Sequence, residues 1–156
     1  MDAARLVAEA ERAMSRDPQP EDVIAEAWQA YELTEAIGRL LAEMWGRAAE
    51  GATGPMRPGE RAATRDPGRT VSRAGPVPVV SATRVGPPRA ARLSTIREPA
   101  DTLRALRTLL GEIGLALVAL ISSACDEETY WECVEALDAV DEAKDRVHVL
   151  ARADSG

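Results

Sequence analysis

The sequence has no phenylalanine, one histidine (His148), one lysine (Lys144) and two cysteines in 156 residues. Aromatic residues make up only 3% of it. Strands draw on aromatic and β-branched side chains, so an all-β sandwich is excluded. A lone histidine excludes a di-iron bundle centre, which takes two Glu-x-x-His elements and further glutamates. Ser-His-Asp or Cys-His chemistry would have to use that same His148. None of Ser122, Ser123, Cys125 and Cys133 sits in a nucleophile motif. Two cysteines cannot form a disulfide-dense scaffold, and no Cys-x-x-Cys pair is present for zinc. The first residues carry charge every few positions and lack an apolar signal core, so a cytoplasmic protein is expected.

Alanine is abundant, at 29 positions, and 18 of the 19 basic residues are arginine. With leucine and glutamate, these residue types lose little freedom on a helical backbone, and they predict an all-α fold. The charge is distributed in three blocks. Residues 1–50 carry net -6, residues 51–97 net +7 and residues 98–156 net -8. The middle block holds 13 Gly or Pro in 47 positions, which sustains neither a helix nor a central strand. Its apolar content is too low to offset ordering entropy, so residues 51–97 are expected to form a disordered or loosely docked basic insertion.

The flanking blocks read as helical hairpins. A short first helix is expected over about residues 2–16, ended by Asp17-Pro18-Gln19-Pro20. A second runs over 21–50, with Ile24, Trp28, Tyr31, Ile37, Leu41, Met44 and Trp45 on one apolar face. Leu103, Leu106, Leu110, Ile113, Leu117, Leu120 and Ala124 follow at alternating steps of three and four, a packing seam. Leu109, Leu115, Val118 and Ile121 make that helix apolar on nearly all sides, so it is expected to be central or to meet another subunit. Its longest apolar stretch, residues 113–125, has 13 positions, short of the roughly 20 of a membrane span. It is therefore expected to be a buried core helix. Asp126 is the expected N-cap of a last helix. The expected assembly is an antiparallel four-helix bundle of one short and three long helices. In it the 1–50 and 98–154 hairpins pack as one domain around the insertion.

Two stretches carry a resemblance. One is Glu21-Asp22-Val23-Ile24-Ala25-Glu26-Ala27-Trp28-Gln29-Ala30, continuing to Thr34-Glu35-Ala36-Ile37-Gly38. The other joins Leu109-Leu110-Gly111-Glu112-Ile113-Gly114-Leu115-Ala116-Leu117-Val118 to Asp126-Glu127-Glu128, Tyr130-Trp131, Cys133 and Glu135-Ala136-Leu137-Asp138-Ala139. Together they resemble a family of small helical proteins of high-GC actinobacteria with no assigned activity. The resemblance covers the helical blocks and not the insertion. It implies a cytoplasmic bacterial setting and supplies no functional residues or cofactor.

Several constellations remain to be weighed. Asp145 and His148 have the spacing of half a di-iron motif, with Glu112 expected nearby in the core, but one histidine cannot supply such a site and a solvated helix face accounts for both residues without strain. Gly111 and Gly114 inside a helix suit close approach of a neighbouring helix better than a phosphate loop. Cys125 and Cys133 are expected to be buried structural thiols. Arg57, Arg61, Arg65, Arg69 and Arg73 recur every fourth residue, but Pro58, Gly59, Pro67 and Gly68 prevent a helical stripe. These arginines could bind a protein partner, or nucleic acid or anionic lipid. No aromatic residue interleaves for base stacking, and the favoured expectation is that they screen the acidic helices. Trp131, beside Glu128 and Glu132, would anchor a partner if exposed. Packing under the insertion or against the second helix is the expected alternative.

The function expected from these readings is a non-catalytic interaction or regulatory module, without cofactor or metal. It would engage a protein partner or self-associate through the apolar third helix. The alternative is a small-ligand bundle with its pocket between the second and third helices.

Overall fold

The computed structural model of the protein describes residues 1–53 and 87–155. These form five helices: α1 (Ala3–Met14), α2 (Pro20–Thr53), α3 (Arg89–Arg92), α4 (Pro99–Ser123) and α5 (Glu127–Ser155). Among the described residues there is no strand, only an isolated parallel bridge between Asp2 and Thr95. The chain divides into a unit of residues 1–41 with 86–156 and a second unit of residues 42–85. In the second unit the described part is the end of α2, where Met44 and Trp45 are half-buried.

α1, α2 and α5 start where a side chain accepts from a backbone N–H at the helix start. Asp2 caps α1, accepting from the Ala4 amide at 3.1 Å. Pro20 opens α2, and the Asp22 carboxylate reaches back to the Gln19 N–H at 3.2 Å, half of a capping box. Pro99 occupies the first turn of α4. Asp126 accepts from both the amide and the hydroxyl of Thr129 at the start of α5, and these bonds hold its carboxyl below the usual range. Between α1 and α2 the chain turns through Asp17, whose φ of 54° lies in the left-handed region that aspartate tolerates better than most residues.

The core of the larger unit is aliphatic. α4 packs on α5 and on α1, burying Leu103, Leu106, Leu109, Leu110, Ile113 and Leu117. From the other helices come Leu6, Val7, Ile24, Leu33, Ile37, Leu41, Val140 and Val147. Gly114 allows α5 its approach: a methyl group there would lie 3.3 Å from Lys144 Nζ and 3.8 Å from Val140 Cγ1. Gly38 of α2 serves the same purpose toward α5, facing Arg146 and Leu150. Gly111 does not, because among the described residues no other element comes within 4 Å of the corresponding position.

Residues 87–97 differ from the expected disorder. α3 lies here, Ile96 is buried, and the segment is tied to the start of the chain. The Met1 amine donates to the Arg92 carbonyl and Ser94 Oγ, both at 2.8 Å. Ala3 N–H donates to Thr95 O, and Arg97 N–H to the Asp2 carboxylate. Order follows because two of the arginines find carboxylates. Arg89 holds Glu26 of α2 through both guanidinium ends, and Arg92 holds Glu9 of α1 through two 2.9 Å bonds.

Candidate functional site

α4 has two unlike sides. The seam side is closed by α1 and α5, whereas the opposite side leaves Leu115 74% and Val118 49% exposed. α4 is thus a core helix on its seam side and open on the other, not buried all round. The described neighbours, α1 and α5, cover the seam and not the stripe through Gly111, Leu115, Val118 and Ala119. By length and composition α4 also passes as a candidate membrane span, with a mean hydropathy of 1.7 and 33% of that window buried. Glu112, expected near the core, is instead exposed on this side. Leu120, placed on the seam, is half-buried because the packing loosens toward the turn at residues 124–126.

Beyond that turn, the first two turns of α5 present Tyr130 and Trp131. Their rings meet edge to face, with centroids 5.2 Å apart. Trp131 is 54% exposed and its indole N–H points to Glu127 Oε1 at 3.5 Å. Among the described residues nothing closes over Trp131, and most of the basic insertion under which it was expected to pack lies outside them. The indole stays out because Cys133 and Ala136 occupy the inward face of α5. Glu128 is exposed and Glu132 half-buried on the same turns. Burial raises the carboxyl pKa of Glu132, and the charges of Glu128, Asp126, Glu135 and Glu21 add to the rise. Arg57, Arg61, Arg65, Arg69 and Arg73 lie outside the described residues.

The groups with chemical potential are dispersed. Asp145 and His148 are both exposed on α5. Among the described residues, no three His, Cys, Asp or Glu side chains are grouped to hold a metal ion. Ser122 and Ser123 spend their hydroxyl protons on the Val118 and Ala119 carbonyls one turn back. Both cysteines are free, but only Cys133 is buried, with its thiol pushed up by desolvation. Cys125 is exposed in the turn, contrary to expectation, because the chain leaves the helix there and presents its side chain outward.

Two features escape sequence reasoning. Leu115 and Val118 look like core by composition; the available signal is their place off the three-four seam, in line with Gly111 and Ser122. The ion pairs of Glu9 and Glu26 join residues 63 to 83 positions apart, so no local spacing reveals them.

No curated protein and no solved structure matches the chain. A family model does match, over residues 1–153, and so spans the basic middle block as well as the helices. The chain belongs to that family, DUF6099, a family of unknown function.

Proposed function

We propose that the protein is a non-catalytic interaction module. Its binding surface is the outward side of α4 together with Trp131 at the start of α5. The scaffold behind it is read as an antiparallel four-helix bundle of α1, α2, α4 and α5. One observation carries the reading: Leu115, Val118 and Trp131 are about half exposed or more, while the seam of the same α4 is closed from Leu103 to Leu117. Large apolar side chains grouped on a surface and rimmed by charge are characteristic of protein interfaces. Glu112, Glu127 and Glu128 supply that rim. The engaged serine hydroxyls and the desolvated Cys133 thiol support a binding role over covalent chemistry.

Affinity capture from host lysate with wild-type protein, Leu115→Arg and Trp131→Ala is the test, with folding of each variant checked by circular dichroism. The expected result is a bound protein whose recovery falls in both variants. Equal recovery from all three would remove this surface as the interface.

A further inference from the structure

We propose that residues 87–97 are a self-ligand, an arginine-bearing strap seated in a guanidinium-reading site on α1 and α2. The same site takes an Arg-x-x-Arg segment of another protein when the strap lifts. It uses neither Leu115 nor Trp131, so its fate is independent of the interface on α4. Among the described residues Glu26 is the one fully buried charged side chain, at 1% exposure on α2. A buried ion pair stabilises less than an apolar pair of the same shape, so stability alone does not account for a carboxylate here. Recognition does.

The site reads its arginines through three side chains. Glu26 takes both ends of the Arg89 guanidinium, a planar fork that lysine lacks. Gln29 Oε1, one turn further along α2, accepts from the backbone N–H of the same Arg89 at 3.2 Å. Glu9 of α1 takes Arg92 through two 2.9 Å bonds and lies 4.0 Å from Arg89 Nε. An Arg-x-x-Arg spacing, one turn of α3, therefore matches the two carboxylates. Apolar packing adds little to the hold. No residue of α3 is buried, and Ile96 is the one buried side chain of the strap. α4, by contrast, closes six leucine and isoleucine side chains into the core. Segments with few buried apolar contacts open before the rest, so the strap lifts as a unit while the long helices stay closed. Lifting leaves Glu9, Glu26 and Gln29 facing whatever brings the same two cations.

The test pairs the full chain carrying Arg89→Ala and Arg92→Ala, checked for folding by circular dichroism, with a labelled, acetylated peptide of residues 87–98 as probe. Fluorescence anisotropy should show binding to this variant. Wild type should bind at least about tenfold more weakly, since its own strap competes from the same chain. Binding should disappear when the peptide carries Arg89→Lys and Arg92→Lys, or when Glu26→Gln is added to the variant. No binding at about 1 mM peptide, or binding indifferent to either change, would overturn the proposal. A wild-type dimer in sedimentation velocity that Arg89→Ala dissolves would name a second copy as occupant and overturn the separate partner. Hydrogen exchange of the wild type decides the matter if the double variant does not fold. The N–H groups of Ala3, Ser94 and Arg97, each bonded between the strap and the start of the chain, should exchange together and ahead of the α4 core. Exchange only through global unfolding would overturn the lifting strap.

Discussion

Glu26 is 1% exposed, and the Arg89 guanidinium that grips it is itself largely buried. Desolvating two charges offsets much of their attraction, so such a pair adds little net stability compared with an apolar pair of the same shape. Removing one member is a different matter. Arg89→Ala takes the bidentate cation from a buried carboxylate and is expected to cost about 3–5 kcal/mol in urea denaturation, whereas Arg89→Met with Glu26→Leu should cost far less. Two other carboxylates set opposite pH dependences. The hydrogen bond from Arg92 holds Glu9 below its usual 4.5, so its stabilisation is present above that value and is lost as pH falls through the folded one. Glu9→Gln should flatten the acid limb of the stability curve. Glu132 is held above 4.5 by burial and then by neighbouring charge, so its contribution is complete below 4.5 and is lost as pH rises through the folded value. Glu132→Gln should raise the melting temperature at neutral pH and change it little in acid.

At the scale of the helix, Leu110 and Leu117 are fully closed, and Leu115 between them is not. Leu110→Ala or Leu117→Ala is expected to cost about 2–5 kcal/mol, measured by chemical denaturation. Leu115→Ala should stay within about 0.5 kcal/mol. The long helices were legible because their punctuation is local: Pro20, Pro99 and Asp126 act on the residues beside them, and the seam of α4 repeats within one element. The exposed side of α4 was not, since apolar residues off a seam look the same whether another helix covers them or none does. α3 was hidden for the converse reason. Its arginines and the prolines just before it have the composition of a disordered segment, and what orders it are carboxylates on α1 and α2. Asp2 shows how closely these elements are tied, with one carboxylate capping α1 and also accepting from Arg97 N–H. Asp2→Ala is expected to cost about 1–2 kcal/mol, and its thermal shift should exceed that of Asp101→Ala.

Taken as a whole, the chain's net charge of -7 combines acidic helical blocks with a basic middle. Arg89 and Arg92 show part of that balance made within the molecule, and the fate of Arg57 to Arg73 lies outside the described residues. Native thiol labelling offers a simple check on the arrangement: one cysteine, Cys125, should react before denaturation and both after it. The bonds between Met1 or Asp2 and residues 92–97 span 91 to 95 positions of chain, while α4 and α5 are joined by three residues. This imposes an order on synthesis. α1 is made before α4, so Leu6, Val7 and Ala10 have no α4 to close over them until about a hundred more residues are added. At about 5–20 residues per second that is a wait of roughly 5–20 s. Throughout that interval the apolar side of α1 stays open toward the missing α4, which makes it a segment for a chaperone to cover during synthesis.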